Sequence, residues 1–459
     1  MAYLHFRSIN KRRFSVEPGF KACLSELNSI LSPLFSVANV LFETKTSEKN
    51  IIYEESPVVY CSNIDGLLKV LLQLKVIEPE DQLVKIAIDG GGGSIKFCLN
   101  VLDKSERLNE PHKRGRLSYS EDFVKNFKDG SVHSSILLLV VPGIQERYYN
   151  IDKLFNLLKI DSIPFTGVCD IKLCQILSGI SPSSRGTHPC YICEWNRMDP
   201  FVPAKYRTVS SCFENFEAFK SSGSKPQQAK KFMNCINKPL MMGSPEEKLV
   251  DIFAIPELHI MEGIVNTLIE HLEIRWTKEN MNVLYSRLHI TKTGQHGGKF
   301  NGNPCRLLLR NWAMIYDNLP IELKSFGECL RLINLIVDAC FGTRLDESAE
   351  SHMKNLEQCF KSLIDDFGVS MTPKFHILLE HVIPFCTQRE EGLGMYSEQA
   401  GESVHHDFNV SAWSRFKTAE CNPKFEENIL KAVLSYNGKH MISKDNADLN
   451  SIKSKLDLI

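Results

Sequence analysis

The sequence lacks the features that would place the protein in a membrane or outside the cell. No apolar run approaches the roughly 18–20 residues of a membrane-spanning helix. The opening segment Met1-Ala-Tyr-Leu-His-Phe-Arg leads into no long apolar stretch, so we expect no signal peptide there. The 15 cysteines are scattered and odd in number, and we interpret them as reduced thiols rather than as a disulfide framework. These absences predict an intracellular protein without a membrane span.

The sequence also lacks an excess of positive charge. It has 54 Lys and Arg against 55 Asp and Glu, a formal net charge of -1. Short basic stretches occur at 104–128 and 225–231, and each is better interpreted as a solvated loop. Because neutralisation of phosphates drives much of the affinity for nucleic acid, this composition argues mildly against tight autonomous DNA binding.

The 459 residues are enough for two or three domains, or for one domain with a large insertion. Hydrophobic periodicity predicts a compact β-β-β-α-β-α region, followed by long amphipathic helices, one of which Pro384 should end. In this region we expect strands at 84–89, 94–102, 135–141 and 163–168, and helices at 152–158 and 171–177. The predicted division of the chain is a mainly helical region 1–80, the first part of an α/β core 81–195, a helical insertion 196–390, a final core helix and a C-terminal helix 391–440, and a flexible tail 441–459.

Three carboxylates stand where strands or helices are expected to begin or end. Asp89 follows the apolar run 84–88 and precedes four glycines, and Asp170 follows the apolar run 163–169. Glu402 lies far downstream at the start of a predicted helix. Hard divalent cations prefer oxygen ligands, and two such ions about 4 Å apart can support phosphodiester exchange. Alternatively, Asp89 is a turn residue, Asp170 a helix N-cap and Glu402 a solvated charge.

A second set of residues has soft donor atoms. Cys190 and Cys193 form a C-x-x-C pair, and His376 and His381 form an H-x₄-H pair. Two thiolates and two imidazoles can make a closed tetrahedral zinc site. A redox pair, or surface thiols with core histidines, would explain the same residues, and His188 and His259 are spare candidate ligands. The two histidines are five residues apart, which rotates them by about 140°, so we expect them to meet only where the helix ends or distorts.

The order of these motifs resembles one family. Strand-Asp, strand-Asp, C-x-x-C, the Asn-Gly-Asn loop within 297–306, H-x₄-H and the Ser-Glu-Gln-Ala-Gly-Glu-Ser segment 397–403 follow one another along the chain. Over residues 85–440 this order is similar to the catalytic core of DDE transposases, in particular Transib transposases and the large subunit of the V(D)J recombinase. Some of the motifs also resemble uncharacterised, transposon-derived proteins of invertebrates. The resemblance implies an α/β fold in which an RNase H-like mixed-sheet core is interrupted by a large all-helical insertion.

The resemblance also implies roles for the candidate residues. Asp89, Asp170 and Glu402 would hold two Mg²⁺ or Mn²⁺ ions, with Glu398 competing with Glu402 as the third acid. A structural zinc would be bound by Cys190, Cys193, His376 and His381. The implied activity is metal-dependent cleavage of DNA and strand transfer, by in-line attack of water or a DNA 3′-hydroxyl, in the nucleus and by a homodimer.

Two rival interpretations use the same residues. A domesticated protein could retain the fold, lose catalysis, and bind nucleic acid or protein partners. Sugar kinases and actin-like ATPases resemble the sequence at Ile88-Asp-Gly-Gly-Gly-Gly-Ser-Ile-Lys96. Such proteins need a second Asp-Gly-Gly phosphate loop and a second domain of like topology, and we find neither in the sequence. Whether the protein is an active enzyme is left open at this point.

Overall fold

A computed structural model shows an α/β fold with a six-stranded mixed sheet and, among the residues it describes, 16 α-helices. The α/β class expected from the sequence is therefore confirmed. The described residues are 18–45, 50–73, 82–91, 93–103, 135–160, 165–183, 186–240, 243–292 and 298–443.

The chain divides into two compact units, which differ from the predicted domain boundaries. The first unit contains the described residues up to 103, those from 135 to 165, and those from Ala400 onwards; the second contains the described residues from Thr166 to Gln399. The second unit thus begins before residue 196, where we expected the helical insertion to begin.

The first unit holds five of the strands. Its elements before residue 160 are α1 (Pro18–Leu31), β1 (Phe35–Lys45), β2 (Ile51–Cys61), α2 (Ile64–Gln73), β3 (Gln82–Gly91), β4 (Ser94–Asp103), β5 (Ile136–Pro142) and α3 (Tyr148–Leu158). The sheet order is β1-β2-β5-β4-β3-β6, where β6 is Thr166–Val168. The chain order β3-β4-β5-α3-β6 matches the predicted strands and helices closely.

The expectation of a mainly helical region over 1–80 is wrong for residues 35–61. Strands β1 and β2 pair antiparallel over their whole length, from Phe35 opposite Cys61 to Lys45 opposite Ile51. Residues 35–42 are rich in the aromatic and β-branched types that favour strands, with phenylalanine at 35 and 42 and valine at 37 and 40. The helical interpretation gave too much weight to the periodicity of α1 and α2 on either side.

Strand β3 extends beyond Asp89 into the glycine run. It continues to Gly91, which pairs with Ser94 of β4. Gly93 has a φ of +78°, a left-handed value that glycine adopts without steric cost. Asp89 therefore lies on the strand, opposite Lys96, and not at its tip.

Helix α16 (Phe425–Ser443) belongs to the first unit, and one of its side chains makes two hydrogen bonds to the backbone of β5. Asn437 accepts a hydrogen bond from the backbone N–H of Leu137 at 2.8 Å and donates one to its carbonyl oxygen at 3.0 Å. The register of the β4–β5 pairing shifts between Phe97 and Cys98, and Cys98 lies opposite Leu137. The helix passes residue 441, where we expected a flexible tail, and residues 444–459 lie outside the described residues.

The second unit is mainly helical. Its α-helices are α4 (Ile171–Leu177), α5 (Val209–Ser221), α6 (Leu249–Ile252), α7 (Glu257–Arg275), α8 (Lys278–Leu288), α9 (Gly302–Arg310), α10 (Trp312–Asn318), α11 (Lys324–Cys340), α12 (Ala349–Phe367) and α13 (Pro373–Arg389). Pro384 does not end α13 as expected, because its side chain is exposed and water can satisfy the carbonyl that loses its partner. The remaining helices are α14 (Gln399–Phe408), with a π-helical turn after it, and α15 (Ser414–Phe416).

Candidate metal-binding sites

Two cysteines and two histidines of the second unit meet at one point. Cys190, Cys193, His376 and His381 are buried, and their ligand atoms all lie within 4.8 Å of one another. Nε2 of His381 is 3.2 Å from Nε2 of His376 and 3.2 Å from Sγ of Cys193. Sγ of Cys193 is 3.1 Å from Nε2 of His376, and Sγ of Cys190 is 3.7 Å from Nε2 of His381. The structure therefore brings all four residues together.

The distances in this Cys₂His₂ cluster fit a four-coordinate zinc ion. With Zn–S bonds of about 2.3 Å and Zn–N bonds of about 2.0–2.1 Å, a regular tetrahedron has edges of about 3.3–3.8 Å. The observed separations of 3.1, 3.2 and 3.7 Å lie close to that range. Because all four donors are buried, the cluster has the closed form of a structural zinc site, without the open position that catalysis needs.

Both histidines project from the continuous helix α13, so the expected break in the helix is absent. Their imidazole rings lie at 84° to one another with centroids 4.9 Å apart, and the side chains are long enough to bring the two Nε2 atoms together. The ring of His376 also stacks on Trp195, with centroids 4.3 Å apart and 9° between the planes. This stacking holds the imidazole in the orientation that a ligand needs.

Arg207 is fully buried and holds the loop that carries the two cysteines. Its Nε donates to the carbonyl oxygens of Cys190 at 3.0 Å and Cys193 at 2.9 Å. Its Nη2 donates to the carbonyl oxygens of His188 at 3.3 Å and Met233 at 2.9 Å. One guanidinium group therefore ties four backbone carbonyls together around the C-x-x-C pair.

Two further buried thiols face the same guanidinium group. Nη1 of Arg207 lies 3.5 Å from Sγ of Cys235. A hydrogen bond from Cys235, opposed by burial and helped by the charge of Arg207, lowers the pKa of Cys212 below its ordinary value. The two thiols and the guanidinium group therefore interact electrostatically.

In the first unit, the Asp89 carboxylate is held by a histidine from the C-terminal part of the chain. Nε2 of His405, on α14, lies 2.9 Å from Oδ2 of Asp89 and 3.1 Å from its backbone carbonyl oxygen. The Asp89 side chain is 32% exposed and that of His405 is 7% exposed. Solvent therefore reaches the acid, while the histidine that contacts it is enclosed.

Lys96 lies on the other side of the His405 ring. Its Nζ is 2.7 Å from Nδ1 of His405, donates to the hydroxyl of Ser94, and lies 5.3 Å from the centre of the Phe408 ring. Lys96 has no exposed surface, and this burial lowers its pKa to about 8, although the negative charge of Asp89 opposes the change. Lys96 thus remains an ammonium group at neutral pH.

Glu402 lies on the same helix as His405, and that helix packs on the strand that carries Asp89. A Cβ atom added to Gly401 would lie only 2.9 Å from the Cβ of Ala87 on β3, so the contact leaves room for glycine alone. Glu402 precedes His405 by three residues, a spacing that puts Cβ atoms about 5–6 Å apart on one face of a helix. The carriers of the first and third predicted acids are therefore in contact.

Asp170 and Glu398 belong to the second unit. Asp170 is the N-cap of α4, and its Oδ1 accepts a hydrogen bond from the backbone N–H of Leu173 at 2.7 Å, which confirms the capping interpretation. Glu398 is buried, and its Oε1 accepts from the backbone N–H of His259 at 3.1 Å in the first turn of α7. Burial lowers the pKa of Lys374, while both acids raise it, so both lie near that lysine.

The Asn-Gly-Asn segment is a shaped loop that enters a helix, as its composition suggested. Asn301 is the N-cap residue of α9, and the preceding Phe300 is buried. The side chain of Asn266 brackets Phe300, accepting from its N–H at 2.8 Å and donating to its carbonyl oxygen at 2.9 Å. A Cβ on Gly302 would lie 2.7 Å from Leu258, so α9 approaches α7 closely at this residue.

Sequence reasoning missed three residues: Lys96, His405 and Arg207. Lys96 had a visible signal, because it interrupts the apolar strand residues Ile95 and Phe97 with a charge. His405 follows Glu402 by three residues, but its contact with Asp89 joins residues 316 positions apart and depends on the fold. Arg207 follows a tyrosine in a loop and shows no local sign that it is buried.

The sequence matches no protein-family model and no curated protein. Among the residues that the structure describes, none of the helices combines the length and the apolar character that crossing a membrane demands.

Proposed function

We propose that the chain is a DDE-type transposase, or a protein derived from one, that uses two Mg²⁺ or Mn²⁺ ions to cleave DNA and transfer strands. Its ligands in this proposal are Asp89, Asp170 and Glu402. When bound, the ions would supply the charge that activates an attacking hydroxyl and stabilises the leaving oxygen of a phosphodiester. The zinc of the Cys₂His₂ cluster has a structural role in this proposal.

The observation that carries the proposal is the contact of α14 with β3. The third acid of a DDE set must come to the first acid from far along the chain. Gly401 packs against Ala87, and His405 contacts Asp89, so Glu402 is on a helix held at the strand of Asp89. A random pair of acids this far apart in the chain has no reason to lie on contacting elements.

The chemistry of the donors also fits. Asp89 and Glu402 offer the carboxylate oxygens that Mg²⁺ prefers, and Asp89 is exposed to solvent enough to meet a substrate. One oxygen of Asp170 caps α4, and a carboxylate fixed in this way has its second oxygen for a cation. The chain's own residues would then orient the carboxylates, while DNA supplies the phosphate oxygens.

The element order and the Cys₂His₂ cluster add support. The order β3-β4-β5-α3-β6-α4 is the one expected for the core, and the cluster is made of the four residues that the resemblance names. We propose a nuclear location and a homodimer on the resemblance alone.

Nicking of supercoiled plasmid in Mn²⁺ tests the proposal. We expect nicking by the wild type, and a loss of more than about 100-fold in Asp89→Asn, Asp170→Asn and Glu402→Gln, because each removes a metal ligand. Equal nicking by wild type and variants would reveal a contaminating nuclease and remove the support for the proposal.

Glu398→Gln separates the two versions of the third acid. If Glu402 is the ligand, Glu398→Gln should retain most nicking and lose some stability, because a neutral amide replaces the carboxylate that accepts from the first turn of α7. Loss of nicking in Glu398→Gln with activity intact in Glu402→Gln would assign the role to Glu398.

The non-catalytic, domesticated protein is a second candidate, and the net charge of -1 favours it, because a chain with no basic excess is poorly equipped to hold DNA alone. It predicts that the wild type binds Mn²⁺ and never nicks DNA, at any salt concentration. Turnover of ATP by the wild type, lost in Asp89→Asn, would instead favour the kinase-like interpretation.

A further inference from the structure

We propose that His405 and Lys96 are positioning residues for the Asp89 carboxylate. Lys96 fixes which nitrogen of His405 carries the proton, and His405 then fixes the carboxylate. This inference rests on the proposed function, because it concerns how Asp89 is presented to a divalent cation. It assigns roles to two residues that the sequence motifs do not include.

The first step is the hydrogen bonding of Lys96. An ammonium group has three N–H donors and no acceptor. The Lys96 ammonium has three neighbours that can take them: the Ser94 hydroxyl, Nδ1 of His405 at 2.7 Å, and the face of the Phe408 ring at 5.3 Å. Since the ammonium can only donate, Nδ1 of His405 must be the acceptor.

The second step follows from the chemistry of imidazole. In the neutral ring one nitrogen accepts and the other carries the hydrogen. With Nδ1 accepting from Lys96, the hydrogen lies on Nε2 and points at Oδ2 of Asp89, 2.9 Å away, and at the Asp89 carbonyl oxygen, 3.1 Å away. His405 therefore holds both the side chain and the backbone of Asp89.

The third step concerns what this orientation does. Groups that hydrogen-bond to a metal ligand set its direction, and their loss typically weakens metal binding by about 10–100-fold. His405 contacts both Oδ2 and the backbone carbonyl oxygen of Asp89, so it sets the direction in which the carboxylate faces a cation. The His405 side chain is 7% exposed, and both of its ring nitrogens have hydrogen-bond partners, so its orientation is fixed.

Lys96 is costly as a purely structural residue. It has no exposed surface and stands between Ile95 and Phe97 on β4, where an apolar side chain would bury at no electrostatic cost. A buried cation at this position is explained when its charge and its donors orient a neighbour. The neighbours within hydrogen-bonding distance are the Ser94 hydroxyl and Nδ1 of His405, and His405 is the one that contacts Asp89.

Binding of Mn²⁺ to the full-length protein, followed by electron paramagnetic resonance without DNA, tests the inference. We expect Asp89-dependent binding in the wild type, weaker by about 10–100-fold in His405→Leu and Lys96→Met. His405→Gln should stay close to the wild type, because its amide can still donate to Asp89. His406→Leu, an exposed neighbour on the same helix, is the matched control and should bind like the wild type.

The tautomer gives a readout that a merely structural role would not move. Two-bond ¹H–¹⁵N spectra of ¹⁵N-histidine-labelled protein, assigned with His405→Gln, should show His405 of the wild type protonated at Nε2 alone. In Lys96→Met the resonance should move to a mixture of tautomers. A His405 signal unchanged by Lys96→Met would overturn the role of Lys96, even if another variant proved unstable.

The Mn²⁺ measurements distinguish failure of the proposed function from failure of the roles assigned to His405 and Lys96. If Asp89→Asn binds Mn²⁺ as tightly as the wild type, the proposed function fails and this inference fails with it. If binding depends on Asp89 but is the same in His405→Leu, Lys96→Met and the wild type, the inference is overturned while the proposed function stands.

Discussion

The Cys₂His₂ cluster and the surroundings of Asp89 differ in burial and in the kind of group that holds each donor. The cluster gathers four donors from one unit, buries all of them, and brings their ligand atoms within 4.8 Å. Asp89 is 32% exposed and is held by hydrogen-bond donors instead of by other acids. Thiol and imidazole groups can pack closely before a metal binds, because an S–H or a ring N–H can donate a hydrogen bond to a neighbouring sulfur or nitrogen. Carboxylates repel one another, so their supports must be donors and cations.

The two sets of donors suit different kinds of ligand. A closed set of soft donors stabilises a fold and excludes substrate. An exposed acid whose orientation is fixed from its buried side is suited to meet a cation that brings its own phosphate ligands.

Removal of a zinc ligand should have the largest effect. In Cys193→Ser the free energy of unfolding should fall by about 5 kcal/mol or more, because zinc binding to a structural site contributes directly to folding. The wild type, purified without chelator, should contain about one zinc per chain by atomic absorption, and chelator should lower its melting temperature. Cys421→Ser, which changes an exposed thiol, should melt like the wild type. A zinc-free wild type whose melting ignores chelator would contradict the closed-site interpretation.

Arg207→Met tests whether the cluster needs its backbone support. The substitution removes the donor from four carbonyl oxygens, and each buried orphan costs about 1–3 kcal/mol, so we expect a loss of roughly 3 kcal/mol or more in urea unfolding. Zinc should also leave the variant faster in a chelator competition. Arg287→Met, at an exposed arginine, is the matched control. Wild-type zinc release from Arg207→Met would show that the loop keeps its shape without the guanidinium group.

The pH dependence of stability tests the buried side of the Asp89 site. The folded pKa of Lys96, about 8, lies below the ordinary value of 10.5, so between these pH values the unfolded chain binds more protons. The free energy of unfolding of the wild type should therefore rise with pH across this window relative to Lys96→Met, by roughly 3 kcal/mol at most. Urea unfolding of both proteins from pH 7 to pH 10 gives the difference, in which titrating groups remote from Lys96 cancel.

Lys431→Met, at a half-exposed lysine on α16, should show no such rise. A difference between wild type and Lys96→Met that does not change with pH would mean that Lys96 is not buried as a cation.

The smallest effect concerns the contact between α14 and β3. Gly401→Ala adds a Cβ 2.9 Å from that of Ala87, so the helix must shift, at a cost of about 1 kcal/mol after the gain in helix propensity. Ala87→Gly opens the space, and the double variant should be more stable than the sum of the single changes predicts. Strict additivity in this double-mutant cycle would indicate that the two residues do not touch.

Much of the α/β core could be predicted because its signals are local. Apolar runs flanked by turn residues predicted β3, β4 and β5. The donor chemistry of Cys190 and His376 pointed to the residues of the Cys₂His₂ cluster. Strands β1 and β2 were missed because their pairing is set by each other, and neighbouring helical periodicity concealed it.

The parts that escaped prediction depend on distant contacts. We expected His376 and His381 to meet only where the helix ends or distorts, an expectation based on Cβ directions alone. The imidazole rings are long enough to bring the two Nε2 atoms together on a continuous helix. Pro384 was misjudged because an exposed proline leaves its orphan carbonyl to water. The contact of His405 with Asp89 could not be predicted from sequence, because the residues around His405 contain no motif that indicates it.

The contact between His405 and Asp89 also sets an order of events during synthesis. Strands β3 and β4 leave the ribosome early, whereas His405 emerges 316 residues after Asp89, which at about 5–20 residues per second is a delay of some tens of seconds. Throughout that interval Lys96 lacks the imidazole that it donates to in the finished protein. A message truncated before codon 400 would therefore yield a chain whose first acid never acquires its support, however well the second unit folds.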